Sequence, residues 1–266
     1  MTACRLGIIT GSGSYSLGGF ESVAPRDVQT PFGTAHVNMG HLGGMDVVHV
    51  SRHLEGHQRL SSHVPHQANI SALAQLKVDA VLAVTVCGAC DLDVELGSLI
   101  VFDDLHFLAN RLPDGSLCSL HVEPGRPGRG HWIFDRPFSE PLRRVLLDAA
   151  EAVGHPARDG GCYGHVDGPR FNTRAEIRGL QSVGVTAVSQ TAGPETVLCG
   201  EAELPYALLG YATDYANGVS EQPTPVEELL RLIGASKDVF RSVLGHALPK
   251  VAAAEISPPG VMYRFD

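Results

Sequence analysis

The segment Ala80-Val-Leu-Ala-Val-Thr-Val86 shows none of the apolar–polar alternation of a strand with one wet face. A run this short and this apolar has to be covered on both sides. That restricts the chain to folds in which other layers pack on each face of a central sheet. Leu6–Ile9 and Tyr206–Ala212 read the same way, and Asp46–Val50, Ser98–Phe102 and Gly184–Ser189 complete a set of six strand candidates. Helical patterns lie between them. Ser139 precedes Glu140-Pro141, after which Leu142, Val145, Leu146, Ala149 and Val153 share one face until Gly154. Gln67–Lys77 places Ile70, Leu73 and Ala74 on a face leading into the 80–86 strand. Thr224-Pro225-Val226-Glu227 predicts a capped helix start with proline at the first position, continued by Leu229, Leu230, Ile233, Val239, Phe240 and Val243. The expectation is an α/β fold with a central mixed β-sheet flanked by helices, as a single domain over residues 1–266. Arg111–Arg136, rich in Pro and Gly, reads as a surface excursion within that domain.

Charge and composition narrow the function classes. The net charge is −9 and no basic run occurs, so a general nucleic-acid binder is not expected, and any anion site has to be a local pocket. No stretch approaches a membrane span, and the first residues hold no apolar signal region, which predicts a cytoplasmic protein without membrane partners. Six cysteines are scattered along the chain. Cys87-Gly-Ala-Cys90 has no second Cys or His pair at ligand spacing, so it reads as small core residues, with no metal and no redox role.

The first strand breaks into Thr10-Gly11-Ser12-Gly13-Ser14, a turn suited to cradling an anion. It matches neither a Walker loop nor G-x-G-x-x-G. In a sheet of this kind ligands sit at the carboxyl ends of strands. Ser12, Arg52-His53, Thr85, Gln190-Thr191 and Thr213-Asp214 all fall at such ends. Converging hydroxyls, an arginine and a histidine make an anion site, with Arg52 as its cation. The alternative is that Arg52 and His53, His57, His63 and His66 are solvated surface groups.

Eight stretches together, GIITGSG (7–13), TPFGTAH (30–36), SRHLEGH (51–57), HQANISAL (66–73), VTVCGAC (84–90), HVDGPRFNTRAE (165–176), VSQTAGPETVL (188–198) and YATDYA (211–216), resemble the trimeric purine nucleoside phosphorylases, most closely the methylthioadenosine phosphorylase branch. The resemblance implies a homotrimer or dimer of trimers that cleaves a purine nucleoside with inorganic phosphate as co-substrate and no cofactor. It also implies residue roles. Ser12, Arg52, His53, Thr85, the Val86 backbone and Thr191 would bind phosphate, and Gln190 would lie beneath the ribose. Cys87, Gly88, Phe171 and Asn172 would line the purine pocket, with Asp214 as the acid facing purine N7. Such an acid needs a raised pKa, which burial favours. Gln190 stands where the family usually has methionine, and its amide is expected to contact sugar or phosphate. Ala216 stands where the branch usually has a second aspartate for a 6-amino group, which opens the site to 6-oxo or 6-substituted purines such as 5′-methylthioinosine. A 6-oxopurine nucleoside phosphorylase, or a nucleoside binder with lost or altered activity, is the alternative. Pro225 and Val226 align roughly with the segment that closes over the sugar 5′ position, where no histidine is expected.

Overall fold

A computed structural model describes residues 4–265. In chain order the strands begin with β1 (Arg5–Thr10), β2 (Glu21–Thr30), β3 (Gly33–Leu42) and β4 (Met45–Ser51). Helix α1 (His66–Gln75) leads into β5 (Ala80–Ala89), which is followed by β6 (Leu99–Val101), β7 (Asp104–His106) and β8 (Gly130–Ile133). Then come α2 (Glu140–Ala152), β9 (Ala157–Asp159), β10 (Cys162–His165), α3 (Arg174–Ser182), β11 (Val185–Ser189) and α4 (Ala192–Glu201). The chain ends with β12 (Tyr206–Tyr215), α5 (Val226–Val251) and β13 (Val261–Arg264). Eleven strands form one mixed sheet along β2-β3-β4-β1-β5-β11-β10-β7, with β12 also on β5 and leading through β6 to β9. This is a single-domain α/β fold with a central mixed sheet and flanking helices.

The apolar runs take the positions their composition demands. β5 and β12 lie side by side in parallel at the centre, buried along nearly their whole lengths. Helices α1 and α4 cover one face, and α2 and α5 cover the other. The β2–β3 hairpin has no counterpart among the strands expected from hydropathy. β2 is an outer strand, mostly exposed, and contains Pro25, so it has no face-burial pattern to read. The start of α5 also differs from the expectation. Pro225 occupies the cap position and Val226 is the first helical residue, while the Thr224 hydroxyl accepts from the Tyr215 N–H at 3.0 Å instead of capping the helix.

The pairing of β5 positions the site. Its first half pairs with β1 in parallel as far as Ala83, opposite Ile9. Its last two residues, Gly88 and Ala89, pair antiparallel with β11. Between them, in the pairings of the described residues, this edge of β5 has left one neighbour and not yet met the next. A sheet that changes partner in this way opens a crevice beside the strand. Val84 points its carbonyl into the gap, where it accepts from the Arg52 side chain at 2.6 Å. By the two-residue repeat of a strand, Val86 turns its N–H to the same edge.

Candidate active site

The crevice is the mouth of a cavity of about 280 Å³, the scale of one small ligand. Ser12, Arg52, His53, Thr85, Val86 and Thr191 line one part of it, and so does Gln190. Cys87, Gly88, Phe171, Asn172 and Asp214 also line it. All the residues assigned by the resemblance to phosphate, ribose or purine therefore meet in one cavity. His63 and His66 are not among its lining residues: His63 is exposed, and His66 is buried beneath the site.

At the polar end, β1 stops at Thr10 and the chain turns, with the Ser14 N–H donating to the Gly11 carbonyl at 3.1 Å and Gly13 at φ 79°. Arg52 follows β4 and is fully buried, which rules out the solvated reading. Its Nε and Nη2 donate to the two carboxylate oxygens of Glu195 on α4, at 2.6 and 2.7 Å. The Tyr206 hydroxyl donates to the same carboxylate at 3.1 Å. Burial by itself would lower the Arg52 pKa, but the Glu195 carboxylate overrides it and holds the guanidinium charged. The cation sought for the opening loop is thus matched inside the protein. With the Val84 bond, three of its five N–H donors are engaged, leaving two for a ligand.

His53 Nδ1 lies 2.8 Å from the Arg59 carbonyl, which only accepts, so Nδ1 carries the proton and Nε2 has its lone pair free. The ring stacks on His57 at 4.2 Å, and His57 Nδ1 lies 3.1 Å from the Tyr15 hydroxyl. Burial holds His53 neutral, with its pKa lowered to about 4. Thr85 Oγ1 lies 3.2 Å from Ser189 Oγ. Thr191 stands at the N-terminal cap of α4, where its N–H and that of Ala192 donate to the Tyr163 hydroxyl at 3.4 and 3.1 Å.

At the other end, β12 carries a bulge. Ala212 pairs with Cys87, but Gly88 pairs with Asp214, so Thr213 is the extra residue. Bulges of this kind re-aim a side chain. Here the bulge puts Asp214 on the face of Gly88, where a Cβ would lie 3.1 Å from Asp214 Oδ2, so any larger residue at 88 would press on the carboxyl. Burial raises the Asp214 pKa, against a hydrogen bond from the Thr213 hydroxyl at 2.9 Å that lowers it. Ala216 adds a methyl to the same wall. Asn217 also lines the cavity and donates from Nδ2 to the Asn172 carbonyl at 2.7 Å. The Cys87 thiol donates to the Tyr211 carbonyl, and burial pushes its pKa up, so it behaves as a core group.

The matching family model is the phosphorylase superfamily, over residues 5–248. The chain belongs to this superfamily. Within it, the chain is 34% identical over 248 residues to a protein of Thermococcus kodakarensis named "Probable 6-oxopurine nucleoside phosphorylase", covering 92% of this chain and 91% of that one. It is 31% identical over 255 residues to the S-methyl-5′-thioadenosine phosphorylase of Pyrobaculum aerophilum, covering 93% and 88%. Among solved structures, methylthioadenosine phosphorylase from Schistosoma mansoni in complex with adenine superimposes with a TM-score of 0.85 at 28% identity, covering 95% of this chain and 93% of that one.

In this superfamily member several site residues carried no sequence assignment. Glu195 lies within the VSQTAGPETVL stretch, and the available signal was a carboxylate among small and apolar residues in the first turn of a helix. Ser61, His57, Leu229 and Ile233 also line the cavity. Val226 lies exposed and neither it nor Pro225 is among the lining residues; α5 instead contributes Leu229 and Ile233.

Buried neutral histidines set a pH response. Desolvation lowers the pKa of His49 and His53 to about 4 and of His66 and His165 to about 3, from 6.5. Below pH 6.5 the unfolded chain takes up protons at these positions and the folded chain does not. Stability therefore falls on acidification from 6.5 towards 4, by up to about 1.4 kcal/mol per pH unit for each histidine. The raised carboxyls of Asp214 and Glu201 act in the opposite sense but are fewer. The melting temperature is expected to be clearly lower at pH 5 than at pH 7, and an equal or higher value at pH 5 would contradict this.

Proposed function

We propose that this chain cleaves the N-glycosidic bond of a purine nucleoside with inorganic phosphate, giving free purine and a ribose 1-phosphate. One observation carries the reading: a cavity with oxyanion donors at one end and a protonatable buried carboxyl at the other. Phosphate would sit against Ser12, the two free N–H donors of Arg52, the Val86 N–H and the hydroxyls of Thr85 and Thr191, with the His53 Nε2 lone pair accepting from the P–OH of a hydrogen phosphate. A phosphate oxygen attacks the anomeric carbon as the bond to purine N9 breaks, and the bonding pair leaves with the base. The sugar develops oxocarbenium character, and a neutral Asp214 gives its proton to N7 of the departing purine, general-acid help worth roughly 10²–10⁴-fold. No cofactor is needed for these steps.

The sugar is proposed to carry an apolar 5′ substituent, because Leu60, Leu229 and Ile233 line the cavity. The base is 5′-methylthioadenosine's adenine or a 6-oxo relative. Ala216 favours the second choice, since a methyl accepts no hydrogen bond from a 6-amino group and a buried unpaired donor is penalised by about 1–3 kcal/mol. Phe171 lines the cavity yet is 60% exposed, which fits a site completed in a homotrimer or dimer of trimers. The test is base release from adenosine, inosine, guanosine, 5′-methylthioadenosine and 5′-methylthioinosine, with and without phosphate. Release only with phosphate, with a 5′-methylthio nucleoside best in kcat/KM, is the expected result. Equal release without phosphate would make the protein a hydrolase, and nucleoside binding without turnover would leave it a binder. A preference for inosine or adenosine over the 5′-methylthio analogue would overturn the 5′ assignment.

A further inference from the structure

The Gln190 amide is bonded at both of its ends inside the protein. Its Oε1 accepts from the Ser61 hydroxyl at 2.8 Å, and its Nε2 donates to the Arg170 carbonyl at 3.1 Å. The amide thereby bridges two segments 129 and 20 residues away in sequence: the turn at 61–63 and the exposed segment 168–172. That segment carries Pro169, Phe171 and Asn172 on the cavity wall, and its outer side faces solvent. Its far end is pinned separately. The Glu176 carboxylate takes the Arg170 guanidinium at 2.7 and 2.8 Å and the Thr173 N–H at 2.8 Å, while the Thr173 side chain caps α3 in return. Its near end has been shaped to admit the amide. A Cβ on Gly168 would fall 2.0 Å from Gln190 Oε1 and 2.3 Å from Ser61 Oγ, so only glycine allows the three to meet.

We infer that Gln190 is a positioning residue that straps the 168–172 segment over the cavity, holding Phe171 and Asn172 against the base. This is a different role from the expected contact of its amide with sugar or phosphate, and it rests on the proposed nucleoside reading only for the name of the ligand. A methionine of similar length fills the same space but has neither the donor nor the strong acceptor that the two bonds require. Glutamine at this position converts a packed contact into a link between two loops.

Three variants test the strap. Gln190→Met removes both bonds, Ser61→Ala removes the anchor at one end, and Gly168→Ala evicts the amide. The direct readout is the rate of tryptic cleavage after the exposed Arg170 in the free protein, which does not depend on the enzyme's substrate. All three variants are expected to be cut there about fivefold faster, while cleavage after the exposed Arg111, far along the chain, keeps its rate. In kinetics Gln190→Met is expected to raise KM for the nucleoside about tenfold, with KM for phosphate and kcat changed less than about twofold. An unchanged cleavage rate after Arg170 in Gln190→Met and Ser61→Ala overturns the strap. A changed ribo- to 2′-deoxyribonucleoside ratio with unchanged cleavage also overturns it, in favour of sugar recognition. If Gln190→Met does not fold, Ser61→Ala decides by the same cleavage measurement. Should the parent show no phosphorolysis, the nucleoside reading falls while the cleavage result still judges the strap.

Discussion

Asp214→Ala is expected to lower turnover at least about a hundredfold while KM for phosphate moves little, because the lost group acts on the departing base. The physical basis is the bulge at Thr213, which turns a carboxyl into an enclosed wall beside Gly88, where burial raises its pKa. Asp214→Asn should be nearly as slow, since an amide can hydrogen bond to N7 but cannot deliver a proton as an acid does. A 7-deazapurine nucleoside gives the control. It has no N7 to protonate, so the parent should turn it over very slowly and the Ala variant should lose little more. Turnover of ordinary substrate within a few-fold of the parent would remove Asp214 from the chemistry. A drop in melting temperature with activity intact would make it a structural residue at the strand end.

Glu195→Ala should be the most destabilising single change in the site. It leaves the fully buried Arg52 guanidinium without its counter-ion, a situation that typically costs about 3–5 kcal/mol. For a chain of this size that corresponds to a fall in melting temperature on the order of 10 °C. His66, whose Nδ1 lies 3.9 Å from Glu195, cannot take its place, because an imidazole carries no negative charge; burial and then Arg52 hold it neutral, with its pKa lowered to about 3. Phosphate-dependent activity should fall with stability, because the free N–H donors of Arg52 are aimed by the two bonds to Glu195. The double variant Arg52→Met/Glu195→Leu separates the two effects. Replacing both charges with apolar groups should restore much of the stability, since a buried pair contributes little over a packed apolar pair. Phosphorolysis should stay lost. Full stability in Glu195→Ala, or activity in the double variant, would show that the pair neither holds nor serves the site.

Much of this was legible along the chain. The run at 80–86 has no polar face, so it had to be an interior strand, and its parallel partner at 206–212 is equally apolar. Ser12 and Thr191 lie just past strand ends, which the sheet architecture brings together, whereas Thr85, expected at a strand end, lies inside β5 where that strand changes partner. The β2–β3 hairpin was not legible, because an exposed outer strand has no burial to imprint a pattern on its residues. The capping signature at Thr224 misled for a related reason: a hydroxyl beside a helix start serves whichever donor approaches, and here the end of β12 supplies one.

The sequence by itself determined the layers of the fold, the glycine–serine turn after the first strand and the kinds of side chain available to the cavity. Each of these depends on residues within a turn or a strand length of one another, where periodicity and local backbone preference act. Tertiary structure alone decided what the polar groups do. Arg52 finds Glu195 at a separation of 143 residues, and Gln190 finds Ser61 at 129. The extra residue at Thr213 has meaning only against its register on β5. A buried charge or amide must take the partner that folding delivers, because water is no longer there to compete. That is why Arg52 became half of an ion pair and Gln190 became a strap.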